Sequence, residues 1–350
     1  MARSVSIEDI VAAIARVNYP GYTTDLVTLG ILEEVTPNND GGFTVMIRHA
    51  GDKEATLKSI AGRIHETLSH DLGLRKLDFK VHKIEAEVGE KIGRARLPGT
   101  RWVIAVASGK GGVGKSTVAA NLAVALSRLG YKVGLLDADI YGPSVPMMFG
   151  ITDERPRSAG GQTFFPIEKH GIKLISMGFF VTDKTPIIWR GPLVMSAVRQ
   201  FLQDTLWGTQ DFLIVDLPPG TGDAQLTLAQ LVALDGVVIV TTPQDVALAD
   251  ALRAVRMFRQ VHCPLLGVVE NMSYFVCPDC GEREELFGHG GGARMGQSEA
   301  MKLLAEIPID AAIRATGDNG TPITLASPDD PSSRAFIELA QQVAAAMPQA

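Results

Sequence analysis

The sequence predicts an α/β fold: a doubly wound, mostly parallel sheet preceded by a small α+β domain. Two observations carry the larger part. From Arg101 onward, RWVIAVAS, KVGLLDAD, DFLIVD, GVVIVTT and LLGVVEN are short, nearly unbroken apolar runs, the pattern of strands covered on both faces of a parallel sheet. Helical stretches such as KSTVAANLAVALSRLG lie between them, and strand–helix alternation winds a sheet whose ligands sit beyond the carboxyl ends of its strands. The third observation is that the pattern before Arg101 differs.

There, SIEDIVAAIARV has a serine cap, a glutamate soon after it, and apolar residues at helical spacing. LGILEEVTPNNDGGFTVMIRH predicts two strands around an Asn-Asn-Asp-Gly-Gly turn. ATLKSIAGRIHETLSHDLG predicts a helix ending at Gly73, and LDFKVHKIEAEV a third strand. The expected division is a small domain over 1–87, a linker over 88–100 rich in charge, Gly and Pro, and the α/β domain over 101–350. In the latter, Gly130 closes the first helix.

The chain has 350 residues, 46% of them hydrophobic, which suffices for two or three domains without staples. A formal charge of −6 speaks against a general nucleic-acid surface or an acidic-membrane binder. The cluster Lys91, Arg94, Arg96, Arg101 is too sparse for a nucleic-acid arm and fits a solvated linker. The N-terminal stretch has no apolar signal core, and no apolar run reaches about 18 residues, so a cytoplasmic location is expected. Three cysteines, Cys263, Cys277 and Cys280, all fall late in the chain. In a reducing compartment the close pair points to metal or redox chemistry rather than a disulfide framework.

SGKGGVGKST, Ser108–Thr117, carries Gly109-x-x-x-x-Gly114-Lys115-Ser116 between a strand and a helix, the pattern and context of a phosphate-binding loop. Gly109, Gly111, Gly112 and Gly114 let the backbone, Val113 included, curl its N–H groups toward phosphate oxygens. The following helix N-terminus adds partial positive charge. Lys115 is expected on the β- and γ-phosphates of ATP, the Ser116 hydroxyl on Mg²⁺, and Thr117 near the α-phosphate. Asp137 and Asp139 close the second run and Asp216 the third. Carboxylates at strand ends beside such a loop hold Mg²⁺ through its waters and orient the attacking water.

Lys110, a second lysine inside the glycine run, makes the loop KGGVGKS, which resembles the deviant-Walker-A ATPases: nitrogenase iron protein and the cell-division positioning and chromosome-partition ATPases. The resemblance implies a nucleotide-sandwich homodimer in which Lys110 reaches the partner's nucleotide and stabilises charge on the leaving phosphate in trans. It also implies that Asp139 is the switch I carboxylate and that 216–223, DLPPGTGD, is switch II. Lys110, Lys115 and Asp139 are thus the expected catalytic residues. Asn271 matches the family's asparagine against adenine, and Pro308 and Asp310 the loop on the base's other side. From local sequence alone Asn271 fits a turn equally well.

Cys277-Pro-Asp-Cys280 can aim two thiolates at one ion. Three readings stand side by side. Zinc needs two further ligands, and no second C-x-x-C exists. A thioredoxin-type pair would open a helix after an early strand. A [4Fe–4S] cluster takes four thiolates, which two chains would supply. SGKGGVGKST, LDADIYGPS, Trp189-Arg190-Gly191-Pro192, DLPPGTGD and the C-x-x-C, in this order, resemble the Mrp-type (ApbC-class) iron–sulfur cluster carriers along the whole chain. The resemblance implies a bridging cluster on Cys277 and Cys280 of each subunit, delivery to apo iron–sulfur proteins, and exchange with scaffold proteins. Through YTTDLVTLGIL the small domain resembles iron–sulfur assembly factors; it has no cysteine, so docking is its expected role.

Cys263 is expected to be a buried small side chain. His289, on a glycine-rich loop, is a poor mount for a ligand. Trp189 and Trp207 fit packing equally well. The alternative is a positioning or partition-type ATPase cycling on membrane or DNA, with a structural zinc at the cysteine pair. ELAQQVAAAMPQA lacks the cationic face and bulky apolar residues of an interfacial anchor, and the net acidity opposes DNA. A P-loop kinase with structural zinc is the third reading; PPGTG and the second lysine favour hydrolysis.

Overall fold

Ser6 starts the first helix, α1 (Ile7–Ile14), through a reciprocal capping box. Its partner is Asp9, not the glutamate the sequence suggested, because only the third helical residue reaches back to the cap N–H. The computed structural model describes residues 5–18, 20, 25–27, 31–38, 42–49, 54–83, 96–139, 142–160, 163–180 and 191–348. Most of the expected linker, most of YTTDLVTLGIL, and Trp189 and Arg190 lie outside them.

The chain forms two compact units. In the smaller, β1 (Leu32–Pro37) pairs antiparallel with β2 (Phe43–His49). After α2 (Glu54–Leu72), which stops at Gly73 with φ of 67°, β3 (Leu77–Lys83) returns parallel to β2. Ile10 and Ile14 of α1, Ile60, Ile64 and Leu68 of α2, and Val45 and Ile47 of β2 make its core. Spacing of four along each helix puts these side chains on one face.

In the larger unit β4 (Thr100–Ser108) leads through the glycine loop into α3 (Lys115–Arg128), then β5 (Val133–Asp137) and the short α4 (Val145–Met148). The hairpin β6 (Arg157–Gly160) and β7 (Thr163–Phe165) belongs to the smaller unit, as do residues 203–209. Ala159, Phe165 and Leu206 complete that unit's core. No local pattern before residue 88 announces this late contribution.

The sheet continues with β8 (Ile167–Lys169), β9 (Ile172–Ser176), α5 (Gly191–Gln203), β10 (Gln210–Asp216), α6 (Asp223–Leu231), β11 (Gly236–Thr241), α7 (Asp245–Gln260) and β12 (Leu265–Glu270). A small hairpin, β13 (Phe275–Val276) and β14 (Arg283–Glu284), precedes α8 (Gly291–Ser298), β15 (Leu303–Glu306), α9 (Ala311–Asp318), α10 (Ile323–Ala326) and α11 (Pro331–Ala345). Eight strands lie in the order β15-β12-β11-β4-β10-β5-β9-β8. All pair in parallel except β8, an antiparallel edge. The fold is thus the doubly wound α/β sheet the apolar runs predict.

Alternate residues feed alternate faces. Phe212 and Ile214 of β10 join α3 and α11 in one core layer, while α7 packs against β4, β11 and β12. Register then sets the site: Asp216 pairs with Asp137, and Asp137 with Ser176. The carboxyl ends of three adjacent strands therefore present polar side chains side by side.

Candidate functional site

Beyond β4 the chain turns through a loop in which close approach forces two of the glycines, Gly109 and Gly114. A Cβ on Gly109 would lie 2.1 Å from the backbone of Asp250 in α7. Gly114, with φ of 80°, caps α3 in the left-handed region, where a side chain is strained. Ser108 Oγ donates to the Lys110 carbonyl at 2.9 Å and steadies the turn. The loop walls a cavity of about 240 Å³, reached by Lys110, Lys115, Ser116, Thr117, Asp139 and Pro219.

Lys115 is 5% exposed, and its Nζ sits 2.5 Å from Asp216 Oδ1 and 3.2 Å from Ser116 Oγ. Asp216 is fully buried; burial raises its carboxyl pKa and the Lys115 ammonium opposes the rise. Its second oxygen, Oδ2, is buried without a hydrogen bond. Beside it Asp137, also fully buried, is pushed up to about 8 by burial and by the Asp216 charge. Asp137 accepts from Ser176 Oγ at 2.9 Å, the Asp139 N–H at 3.1 Å and the Val145 N–H at 3.3 Å. Asp139 lies two residues past its strand end and accepts from the Gly142 N–H at 3.3 Å.

These groups fit a nucleotide phosphate chain: a glycine cradle, a buried ammonium held by a carboxylate, and a helix N-terminus. They also fit Mg²⁺. Ser116 and the unsatisfied Asp216 oxygen are the groups that would hold it, directly or through water, and the ion would neutralise phosphate charge.

A second cavity, of about 740 Å³, shares Gly114, Thr117 and Ser144 with the first. Asn271, Pro308 and Asp310 all line it. Asn271 is 6% exposed and donates its amide to the Val113 carbonyl, so it braces the phosphate loop as well as facing the cavity. Asp310 is committed elsewhere. Its Oδ1 accepts from the Ala312 N–H at 2.7 Å as the cap of α9, and its Oδ2 accepts from Ser332 Oγ at 2.6 Å. It shapes the wall rather than offering a free carboxylate.

Cys277 and Cys280 stand on the turn of the β13–β14 hairpin, half-exposed and exposed. The Cys277 N–H donates to the Glu282 carbonyl at 2.9 Å, and the Gly281 N–H to the Cys277 carbonyl at 2.8 Å. Backbone N–H groups of Cys280 and Asp279 point at the Cys277 sulfur and lower its pKa, which favours the ligating thiolate. Among the described residues no group of three or more His, Cys, Asp or Glu could hold a metal ion. Neither Cys263 nor His289 therefore completes a set within one chain. Cys263 is buried against the Ala229 carbonyl and His289 pairs with Glu285. Trp207 is 3% exposed, a packing residue.

Two buried residues escape the sequence reading. Gln225, in the first turn of α6, donates to the Pro218 carbonyl at 2.5 Å and the Ser108 carbonyl at 3.2 Å, tying the 216–223 loop to the end of β4. Glu270 ends β12 with no exposure, accepting from Ser273 Oγ at 2.6 Å and from the Gly292 N–H. A charged residue closing an apolar run is the signal that Glu270 left; Gln225, an uncharged residue within a helical stretch, left none. No helix among the described residues is long and apolar enough to cross a membrane.

Residues 99–344 match the family described as ParA, NUBPL iron-transfer P-loop NTPase. An iron–sulfur cluster carrier protein of Aquifex aeolicus is 48% identical over 301 residues, 81% of this chain and 83% of its own length. One from Haemophilus influenzae is 42% identical over 335 residues, 94% of this chain and 89% of its own. A nucleotide-binding protein of Archaeoglobus fulgidus, solved with ADP and with cobalt found in it, superposes with a TM-score of 0.57 at 42% identity, covering 64% of this chain and 88% of that one.

Proposed function

The chain belongs to the ParA-type NUBPL iron-transfer P-loop NTPase family, and from that premise we propose that it is an iron–sulfur cluster carrier worked by ATP. Two copies face each other with nucleotide in the glycine loops, and Lys110 of each stabilises charge on the phosphate bound by the other. Lys115 and the loop N–H groups bind the β- and γ-phosphates, and Asp139 positions the hydrolytic water. The cargo is a [4Fe–4S] cluster held by Cys277 and Cys280 of both copies and passed to apo iron–sulfur proteins, with scaffold proteins as its source. The smaller unit docks these partners, and the work is cytoplasmic.

One observation carries the cargo assignment. Two accessible thiols share a turn, and no third ligand joins them among the described residues. A cluster that takes four thiolates is then completed by a second chain. The relatives named as cluster carriers support the same reading.

Anaerobic reconstitution of Cys277→Ala and Cys280→Ala tests it. Loss of the broad visible absorption of a [4Fe–4S] cluster in both variants, with ADP binding retained, is the expected result. A full cluster in either variant contradicts the site, and zinc bound in place of iron by the anaerobically purified parent favours the alternative of a structural zinc.

A further inference from the structure

We propose that Leu286 and Phe287 hold the base of the bound nucleotide, and that through them the cysteine hairpin senses whether the site is filled. This rests on the nucleotide part of the reading above and not on the cluster.

The two cavities meet at Gly114, Thr117 and Ser144, so phosphates seated in the loop direct the nucleoside into the larger one. Its volume of about 740 Å³ lies within the range of small-molecule sites. Both arms of the cysteine hairpin build its wall: Phe275 just before Cys277, and Leu286 and Phe287 after Cys280. Leu286 is 54% and Phe287 39% exposed, large apolar side chains left in water on a cavity wall. A planar base covers such surface and stacks on an aromatic ring.

The hairpin's root is anchored. Phe275 bridges to Ile309, whose N–H donates to the Tyr274 carbonyl at 2.7 Å. The Arg283 guanidinium lies 3.8 Å over the Tyr274 ring and 3.5 Å from Glu306. The same loop carries Pro308 into the cavity. A base touching Pro308 on one side and Leu286–Phe287 on the other therefore spans both attachments of the turn that bears the thiols. Between these attachments the turn is held by the short β13–β14 ladder and by local backbone hydrogen bonds between Cys277 and Glu282 and between Gly281 and Cys277. Filling the cavity clamps the outgoing arm, restricts the turn and slows reagents at its sulfurs.

The test uses the full-length, reduced, cluster-free protein and measures iodoacetamide alkylation of Cys277 and Cys280 by mass spectrometry, with calorimetry to establish saturation. Saturating ADP is expected to slow alkylation about tenfold, while tripolyphosphate, which lacks a base, leaves the rate within about twofold; tenfold in an equilibrium is about 1.4 kcal/mol. Phe287→Ala and Leu286→Ala, both at exposed positions, are expected to lose most of the protection at saturating ADP. Equal rates with and without saturating ADP, equal protection by tripolyphosphate, or protection that vanishes on dilution of the protein would each overturn the inference. Absence of ADP binding in calorimetry would overturn the nucleotide reading itself, whereas a cluster-free protein that shows the protection leaves the inference standing.

Discussion

Asn271 donates its side-chain amide to the Val113 carbonyl at 2.8 Å, and the same nitrogen lies 2.1 Å from where a Cβ on Gly114 would stand. One residue at the end of β12 thus fixes the curvature of the loop that follows β4. Gly114→Ala is expected to cost about 1–2 kcal/mol from the left-handed backbone alone, and more once Asn271 is displaced. Asn271→Ala loses a hydrogen bond of about 1 kcal/mol. Chemical denaturation reads both losses, and ADP titration should show the loop variant as the weaker binder.

Lys115 and Asp216 form a buried pair, so removing one partner strands the other. Lys115→Met is expected to destabilise the nucleotide-free protein by about 3–5 kcal/mol near neutral pH. The loss should shrink in mild acid, because burial already raises the Asp216 pKa and a protonated carboxyl needs no counter-ion. Adding Asp216→Asn should restore most of the stability without restoring ATP binding. A Lys115→Met protein as stable as the parent at pH 8 would contradict the pairing.

Asp137 carries a pH signature. Its folded pKa of about 8 lies above the ordinary carboxylate value of 3.8, so between these values the folded state holds a proton that the unfolded chain has released. Stability from this group is full below the unfolded pKa and declines as pH rises toward 8, by at most about 1.4 kcal/mol per pH unit. Asp137→Asn, which keeps a neutral side chain, should flatten denaturation midpoints between pH 5 and 8. A parent protein whose stability rises across this window while the variant's does not would reverse the assignment.

Lys110 lines the phosphate cavity with a backbone carbonyl already tied to Ser108. If it acts in trans, Lys110→Ala should keep ADP affinity within about threefold yet lower ATP turnover by about a thousandfold, the scale of a charge supplied by a partner subunit. Phosphate release and calorimetry separate the two effects.

The glycine loop and strand-end aspartates were legible because each depends on short-range pattern: apolar runs fix the strands, and parallel register lines up Asp137 and Asp216 at their ends. Asp310 was only half legible. Its place in EIPID puts it at the cavity, but its two capping hydrogen bonds depend on Ala312 and on Ser332 much further along. Gln225 and Glu270 were missed because each depends on a partner distant in sequence, Ser108 for the one and Gly292 for the other. Phe275, Leu286 and Phe287 look like ordinary hairpin residues until the fold sets them around Asn271. Likewise, residues 157–166 and 203–209 carry nothing that marks them as part of a unit built mainly from the first 87 residues.

Iron and acid-labile sulfide per chain, measured on anaerobically purified protein whose mass in solution is determined in the same sample, tests the central claim most directly. One four-iron cluster shared by two chains predicts about two irons and two sulfides per chain in a dimer, with none in the Cys277→Ala, Cys280→Ala double variant. A monomer with a full complement of four irons, or a double variant that keeps its iron, would contradict it.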